Sequence, residues 1–329
     1  MKRRTKIWLW VVAITFTLVL AALFTASWYM YNMAVAREAK HVQVYAGDMD
    51  SPDDDDEVEA RKTFEEMLAM FEQGRQWLRK QPTEEMEQQS FDGLVLRASY
   101  LQNEVDTGKV AVLLHGYRGD REEMGLLAQM YLEQGYDVFL PDARGHGQSE
   151  GDYVGFGWHE RLDQSTWIQQ LIAEKGAAQI VIHGQSMGAA TALMTAGEDL
   201  PDQVKAVIAD SAYTSVKEEL AHQMQELFHV PRFPLLDLSS MMTYFRAGYT
   251  FGEASTIAQV EKDTPPLFLI HGDQDVLVPT EMAKELYEAA NGRAELWVVP
   301  GANHVGSMFA APDAYHENVW AFLSQHVEM

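Results

Sequence analysis

Ile180-Val181-Ile182-His183-Gly184-Gln185-Ser186-Met187-Gly188-Ala189-Ala190 reads as an apolar β run that breaks into a tight turn and continues as a small-residue helix start. A serine hydroxyl is a poor nucleophile unless it is held clear of its neighbours and beside a base, and a sharp strand-to-helix turn does that holding. Gly184 and Gly188 lack the Cβ atoms that would collide where the chain folds back, and Ala189 and Ala190 let the helix lie close to the strand. The free N–H groups at the helix start face the place where negative charge would build on a substrate oxygen.

Glycine and serine are common, so the turn gains its meaning from two segments nearer the C-terminus. Pro266-Leu267-Phe268-Leu269-Ile270-His271-Gly272-Asp273-Gln274-Asp275-Val276-Leu277-Val278-Pro279 is an apolar strand opening into a loop with two carboxylates, either of which is placed to orient an imidazole. Leu296-Trp297-Val298-Val299-Pro300-Gly301-Ala302-Asn303-His304 is another short strand ending in a loop with one histidine. Of the eleven histidines, His304 alone comes after the carboxylates on a loop just past a strand, and it is the expected general base. His183, beside the serine, reads as a buried structural residue. His159 fits either a structural or a functional role, and His41, His222, His229, His316 and His326 sit in polar or helical stretches.

An oxyanion needs at least two donors. The Met187 N–H, just after the serine, is one. Val110-Ala111-Val112-Leu113-Leu114-His115-Gly116-Tyr117-Arg118-Gly119 supplies a second strand-and-turn at the right place in the order, and the Tyr117 N–H is the other expected donor.

With Asp142-Ala143-Arg144-Gly145-His146-Gly147-Gln148-Ser149, these motifs resemble those of the α/β-hydrolase superfamily, and within it the bacterial esterase, lysophospholipase and serine-aminopeptidase type. The resemblance runs from about Ser90 to the C-terminus. It implies a mostly parallel central sheet with helices on both faces and a Ser186, Asp275, His304 triad, since the family's acid is the second Asp of the His-Gly-x-x-Asp-x-x-Val-Pro pattern. Asp273 is then a turn carboxylate, and Asp142 to Ser149 a structural loop beside the site. The resemblance also implies a small cap over the site at about 211–262, where Met224, Phe228, Phe233, Met241 and Met242 are candidate substrate-binding residues. The expected reaction is hydrolysis of a small-molecule ester, acyl or lipid-like. A serine aminopeptidase on the same fold and a non-catalytic membrane-tethered binding module are the alternatives.

No cofactor or metal is expected: there is no His-Glu-x-x-His helix, no phosphate-binding glycine pattern and no cysteine. The absence of cysteine is compatible with an extracytoplasmic location. A net charge of −24 disfavours nucleic acid and anionic lipid surfaces as partners.

Ile7 to Tyr31 carries no charge. At ~1.5 Å per residue such a helix would be roughly 37 Å long, more than the ~30 Å hydrocarbon core requires. Trp8, Trp10, Trp28, Tyr29 and Tyr31 fall near its ends, and Lys2, Arg3, Arg4 and Lys6 precede it. These features predict a cytoplasmic flank at 1–6, a single-pass signal anchor at 7–31 in the cell membrane, and an extracytoplasmic remainder. A cleaved signal peptide is the rival, with Ala34-Val35-Ala36 as cleavage site, but cleaved apolar regions are usually only ~7–15 residues long. An acidic linker is expected over 32–59, an amphipathic helix from 60 to about 89 in which Pro82 either ends the helix or begins a second short turn, and one hydrolase domain over 60–329.

Overall fold

The computed structural model describes residues 2–37, 55–226 and 229–328. Its strands are β1 (Glu84–Gln89), β2 (Val95–Leu101), β3 (Lys109–Leu114), β4 (Asp137–Pro141), β5 (Gln179–Gln185), β6 (Val204–Asp210), β7 (Leu267–Gly272) and β8 (Ala294–Val299). Among the described residues these eight form one sheet in the order β1-β2-β4-β3-β5-β6-β7-β8. β2 runs antiparallel to both β1 and β4, and every pair from β4 to β8 is parallel.

The central strands are mostly apolar because both faces are covered, with polar residues mainly at their ends. Side chains alternate between the two. Val110, Val112, Ile180, Ile182 and Val207 enter a core with Trp167, Ile168 and Leu171 of α4 (Glu160–Lys175) and Ala189 and Leu193 of α5 (Met187–Ala196). Ala111, Leu113, Val181 and Ile208 enter the opposite core with Leu127 and Tyr131 of a helix at Gly125–Glu133 and Tyr315, Val319 and Phe322 of one at Pro312–His326. The connection from β3 leads to β4 on one side, and the next connection crosses back to β5 on the other. The crevice outside the carboxyl ends of β3 and β5 is therefore the topological switch point, where open α/β sheets bind ligands.

Two boundaries differ from those expected. The amphipathic helix, α2 (Asp55–Leu78), ends ahead of Pro82, one of the two readings of that proline, but residues 84–89 form β1 instead of a second short turn. Strand pairing decides this: Met86 and Gln88 alternate inward along β1 while β1 pairs with β2 over its whole length. Nor is all of 32–59 a linker. The first helix, α1 (Lys2–Ala34), runs past residue 31, Ala36 forms a bridge with Tyr153, and α2 already begins at Asp55; Asp48, Asp50, Asp53 and Asp54 of the acidic run lie outside the described residues.

The region between β6 and β7 holds α6 (Val216–Glu226), α7 (Leu235–Ala247) and α8 (Thr256–Val260). Val260 of α8 joins the sheet core, so α6 and α7 are the elements that overhang it. α1 lies along α7. Its most apolar 18-residue window within Lys6–Ala34 has a mean hydropathy of 2.5, and the helix is long and apolar enough to cross a bilayer by length and composition. The last turns of α1 are part of the folded body. Tyr31 and Val35 are buried in a third core with Tyr153, Phe156, Met187 and Tyr213. The Arg37 guanidinium donates to the Gly147, Ser149 and Gly151 carbonyls.

Candidate active site

Ser186 sits between β5 and α5 with φ 55° and ψ −118°, a strained conformation for a residue with a side chain. Its neighbours permit the turn only because they are glycines. A Cβ on Gly184 would lie 2.1 Å from the Gly188 carbonyl oxygen, and one on Gly188 would lie 2.0 Å from that of Leu114. The turn is pinned to the adjacent strand by Ser186 N–H donating to the Asp210 carbonyl at 2.8 Å.

His304 lies in the loop after β8, and its Nε2 is 2.8 Å from Ser186 Oγ. Its Nδ1 lies 2.8 Å from Asp275 Oδ2. A carboxylate can only accept, so Nδ1 carries the proton and Nε2 is left to accept from the serine hydroxyl. Asp275 is buried, and burial alone would raise its pKa. It is nevertheless held below the usual carboxylate range by His304 and His271 and by their hydrogen bonds. Its other oxygen accepts from the Leu277 and Val278 N–H groups at 3.0 and 2.9 Å. Asp273 is elsewhere: it accepts from the Gly301 N–H at 2.7 Å, closing the turn after β8.

Met187 opens α5, where the first N–H groups have no acceptor within the helix, and Tyr117 lies in the loop after β3. Both line the cavity that contains Ser186 and His304. The loop carrying Tyr117 is held from below. His146 Nε2 accepts from the Arg118 N–H, His115 Nε2 accepts from the Ala143 N–H, and Asp142 accepts from the Arg121 and Gln148 N–H groups. Arg144 is wholly buried between Asp163 and Asp92. The segment from Asp142 to Ser149 is thus a brace for the site. His183 bridges the Tyr131 and Tyr315 hydroxyls, and burial pushes its pKa down to about 3, so it is neutral. His159 meets the Tyr153 hydroxyl, also away from Ser186.

The cavity has a volume of about 640 Å³. Met67, Leu68 and Phe71 of α2, Phe156, Leu220 of α6 and Leu277 make it mostly apolar, with Arg75, Arg118 and Glu123 toward one side. Of the cap residues expected to line it, the four that are described do not. Met224 is buried in the wall of a second cavity, Phe233 and Met241 are 75% and 51% exposed, and Met242 packs against the third core. Phe228 lies outside the described residues. The reason is geometric: α7 carries apolar side chains on two faces, one against α1 and one outward, and composition does not tell them apart.

Four residues to which the motifs gave no role also contribute. His271 donates through Nε2 to the Val278 carbonyl and lies 3.2 Å from Asp275 Oδ2; its place four residues before Asp275 is the one signal that could have found it. Glu219 of α6 lines the cavity, and burial pushes its carboxyl up to about 8; its Oε2 has no hydrogen-bond partner among the described residues. Met33 and Ala34 of α1 also line the cavity. The Tyr117 hydroxyl donates to the Ala34 carbonyl at 2.7 Å and Arg118 Nη2 to that of Met33 at 2.7 Å, so α1 is stitched to the loop after β3. Nothing in the sequence of α1 signals this. Among the described residues no group of His, Cys, Asp and Glu is placed to hold a metal.

A family model described as serine aminopeptidase, S33, matches residues 106–241, which include Ser186 but neither Asp275 nor His304. The uncharacterized protein YqkD of Bacillus subtilis is 29% identical over 219 residues, 66% of this chain and 72% of that one. The thermostable monoacylglycerol lipase of Bacillus sp. strain H-257 is 25% identical over 250 residues, 67% of this chain and 93% of that one. Among solved structures, the Pyrococcus furiosus esterase Pf2001 superposes with a TM-score of 0.62 at 27% identity, covering 75% of this chain and 92% of that one. With the sheet order and the serine turn between β5 and α5, these likenesses identify the fold of the chain as that of the α/β-hydrolases.

Proposed function

We propose that the chain hydrolyses carboxylic esters with acyl or lipid-like acid groups, through an acyl-enzyme on Ser186. The observation that carries this reading is the unbroken line from Ser186 Oγ through both nitrogens of His304 to Asp275, each link 2.8 Å, at the floor of an apolar cavity. Ser186 Oγ attacks the ester carbonyl as His304 Nε2 takes its proton; the C–O bond to the alcohol then breaks, and His304 returns that proton to the leaving oxygen. Water repeats the attack in the second half, and the acid is released. Asp275, kept ionised by its hydrogen-bond donors, stabilises the imidazolium that forms in each half. The Met187 and Tyr117 N–H groups hold the oxyanion.

The likeness to an esterase and to a monoacylglycerol lipase supports an ester as substrate. The S33 description favours a second reading, an aminopeptidase. Such an enzyme needs a carboxylate for the substrate's ammonium group; burial favours the neutral form of Glu219, while Glu72, Asp120 and Glu123 line the same cavity. Turnover of p-nitrophenyl esters against amino-acid p-nitroanilides separates the two. Esters faster by a hundredfold or more fit the first reading, and preferred cleavage of the anilides overturns it.

We also assign α1 as a single-pass anchor with a cytoplasmic N-terminus and the hydrolase domain on the other side of the membrane. The basic flank sets the direction. Burial of Tyr31 and Val35 in the folded body argues that the anchor is retained, because cleavage after Ala36 would strip both from their core. Protease added outside intact cells should degrade the domain, and the mass of the membrane-extracted chain should include α1.

A further inference from the structure

Beside the cavity of Ser186 lies a second one of about 350 Å³, set between the first helix and the cap. One wall is α1, through Ala26, Tyr29 and Met30; the other is the cap, through Met224, Val230 and Leu235. Met33, Ala34, Leu220 and Gln223 line both cavities, so the two adjoin across these side chains. Taken together as one groove, they reach from the candidate nucleophile to the flank of the anchor.

We propose that the acyl chain of a single-chain lipid ester lies in this groove and enters it sideways from the bilayer, passing between α1 and the cap. The proposal rests on the esterase reading and names its substrate class.

Three observations carry it. The first is height: Ala26 lies within the charge-free run, roughly 7 Å below Tyr31 at ~1.5 Å per residue, so the groove opens at the level of the lipid headgroups and upper acyl chains. Trp28 and Tyr29, exposed beside it, are residue types that settle at that level. The second is the cap itself. α7 packs along α1 and, with the residue two places before it, exposes Phe233, Met241, Tyr244 and Phe245, an apolar surface of the kind that rests on a membrane interface. The third is continuity of material. From Tyr29 through Met33 to the wall of the Ser186 cavity the lining is mostly apolar, with Gln223 and Ser239 its polar members, so a chain moving along it leaves one largely hydrocarbon surface for another. At about 350 Å³ the second cavity has room for one chain.

The test uses the full-length chain in phosphatidylcholine nanodiscs. A hexadecyl fluorophosphonate with a diazirine near its methyl end is allowed to react and is then photolysed. The expected result is an adduct on Ser186 whose far end crosslinks to peptides within 23–36 or 230–251. Crosslinks to α2 instead, near Met67 to Phe71, overturn the proposal while leaving the hydrolase reading intact. No adduct on Ser186 overturns both. Ala26→Trp, which fills the groove, gives an independent arm: the ratio of monopalmitoylglycerol to p-nitrophenyl butyrate turnover should fall tenfold or more, and a ratio within twofold of wild type contradicts the proposal.

Discussion

The cavity of Ser186 has two sides built on opposite principles. On the sheet side every atom is over-determined. Ser186 sits in a strained turn between glycines that admit no Cβ, His304 has its tautomer set by Asp275, and the Asp275 carboxylate is filled by donors. On the other side, α1, α2 and α6 contribute Met33, Met67, Leu68 and Leu220, flexible apolar side chains with no fixed partner geometry. The difference separates two tasks: bond-breaking demands fixed distances, whereas holding a hydrocarbon chain demands only an apolar surface that can adapt.

The sharpest way to break this comparison is to alter the fixed side. Asp275→Asn should lower kcat by about 10⁴, because a neutral amide no longer holds the His304 tautomer or its positive charge. Asp273→Asn should change it by no more than a few-fold. Equal losses in the two variants, measured on a soluble p-nitrophenyl ester, would move the acid to Asp273. Gly188→Ala comes next, since its Cβ meets backbone at 2.0 Å. It should cost on the order of 4 kcal/mol or more, read as loss of folded protein on expression. Met33→Leu on the adaptable side conserves volume and should cost less than about 1.5 kcal/mol in thermal unfolding.

Glu219 marks where the two sides meet, and its protonation gives a subtler test. Its folded pKa is raised from 4.5 to about 8, so the folded chain keeps a proton that the unfolded chain gives up. The stability this contributes is complete below about 4.5 and is lost as pH rises through about 8. Glu219→Gln stays neutral throughout. Its Tm should therefore fall less than that of wild type between pH 5 and 8.5, and parallel curves would mean that Glu219 ionises normally. The smallest effect is expected for Tyr117→Phe, which removes the hydrogen bond to the Ala34 carbonyl and should cost ~0.5–1.5 kcal/mol in Tm-derived stability.

The same contrast explains what is legible in the sequence. The strained serine turn forces glycine and small residues into fixed positions, and loops after parallel strands show as apolar runs ending in glycine, so Ser186, His304 and the braces at His115 and Asp142 stand out. Choosing Asp275 over Asp273 requires a family pattern, because both carboxylates lie in one loop. The apolar wall leaves no such trace. Phe233 and Met241 have the composition of a binding wall but face outward, while Met33 and Ala34, inside a run that any span would show, line the cavity. Strand β1 escapes a reading by periodicity because Glu84-Glu85-Met86-Glu87-Gln88-Gln89 offers one apolar residue, and pairing with β2 decides its state.

The central claim is that Ser186 is activated by His304. Intact mass of the full-length chain after exposure to a small fluorophosphonate tests it most directly, with Ser186→Ala and His304→Ala treated in parallel. The expected result is one adduct on wild type, none on Ser186→Ala and labelling slowed at least a hundredfold on His304→Ala. An adduct that persists in Ser186→Ala, or a folded wild type that does not react, would contradict it.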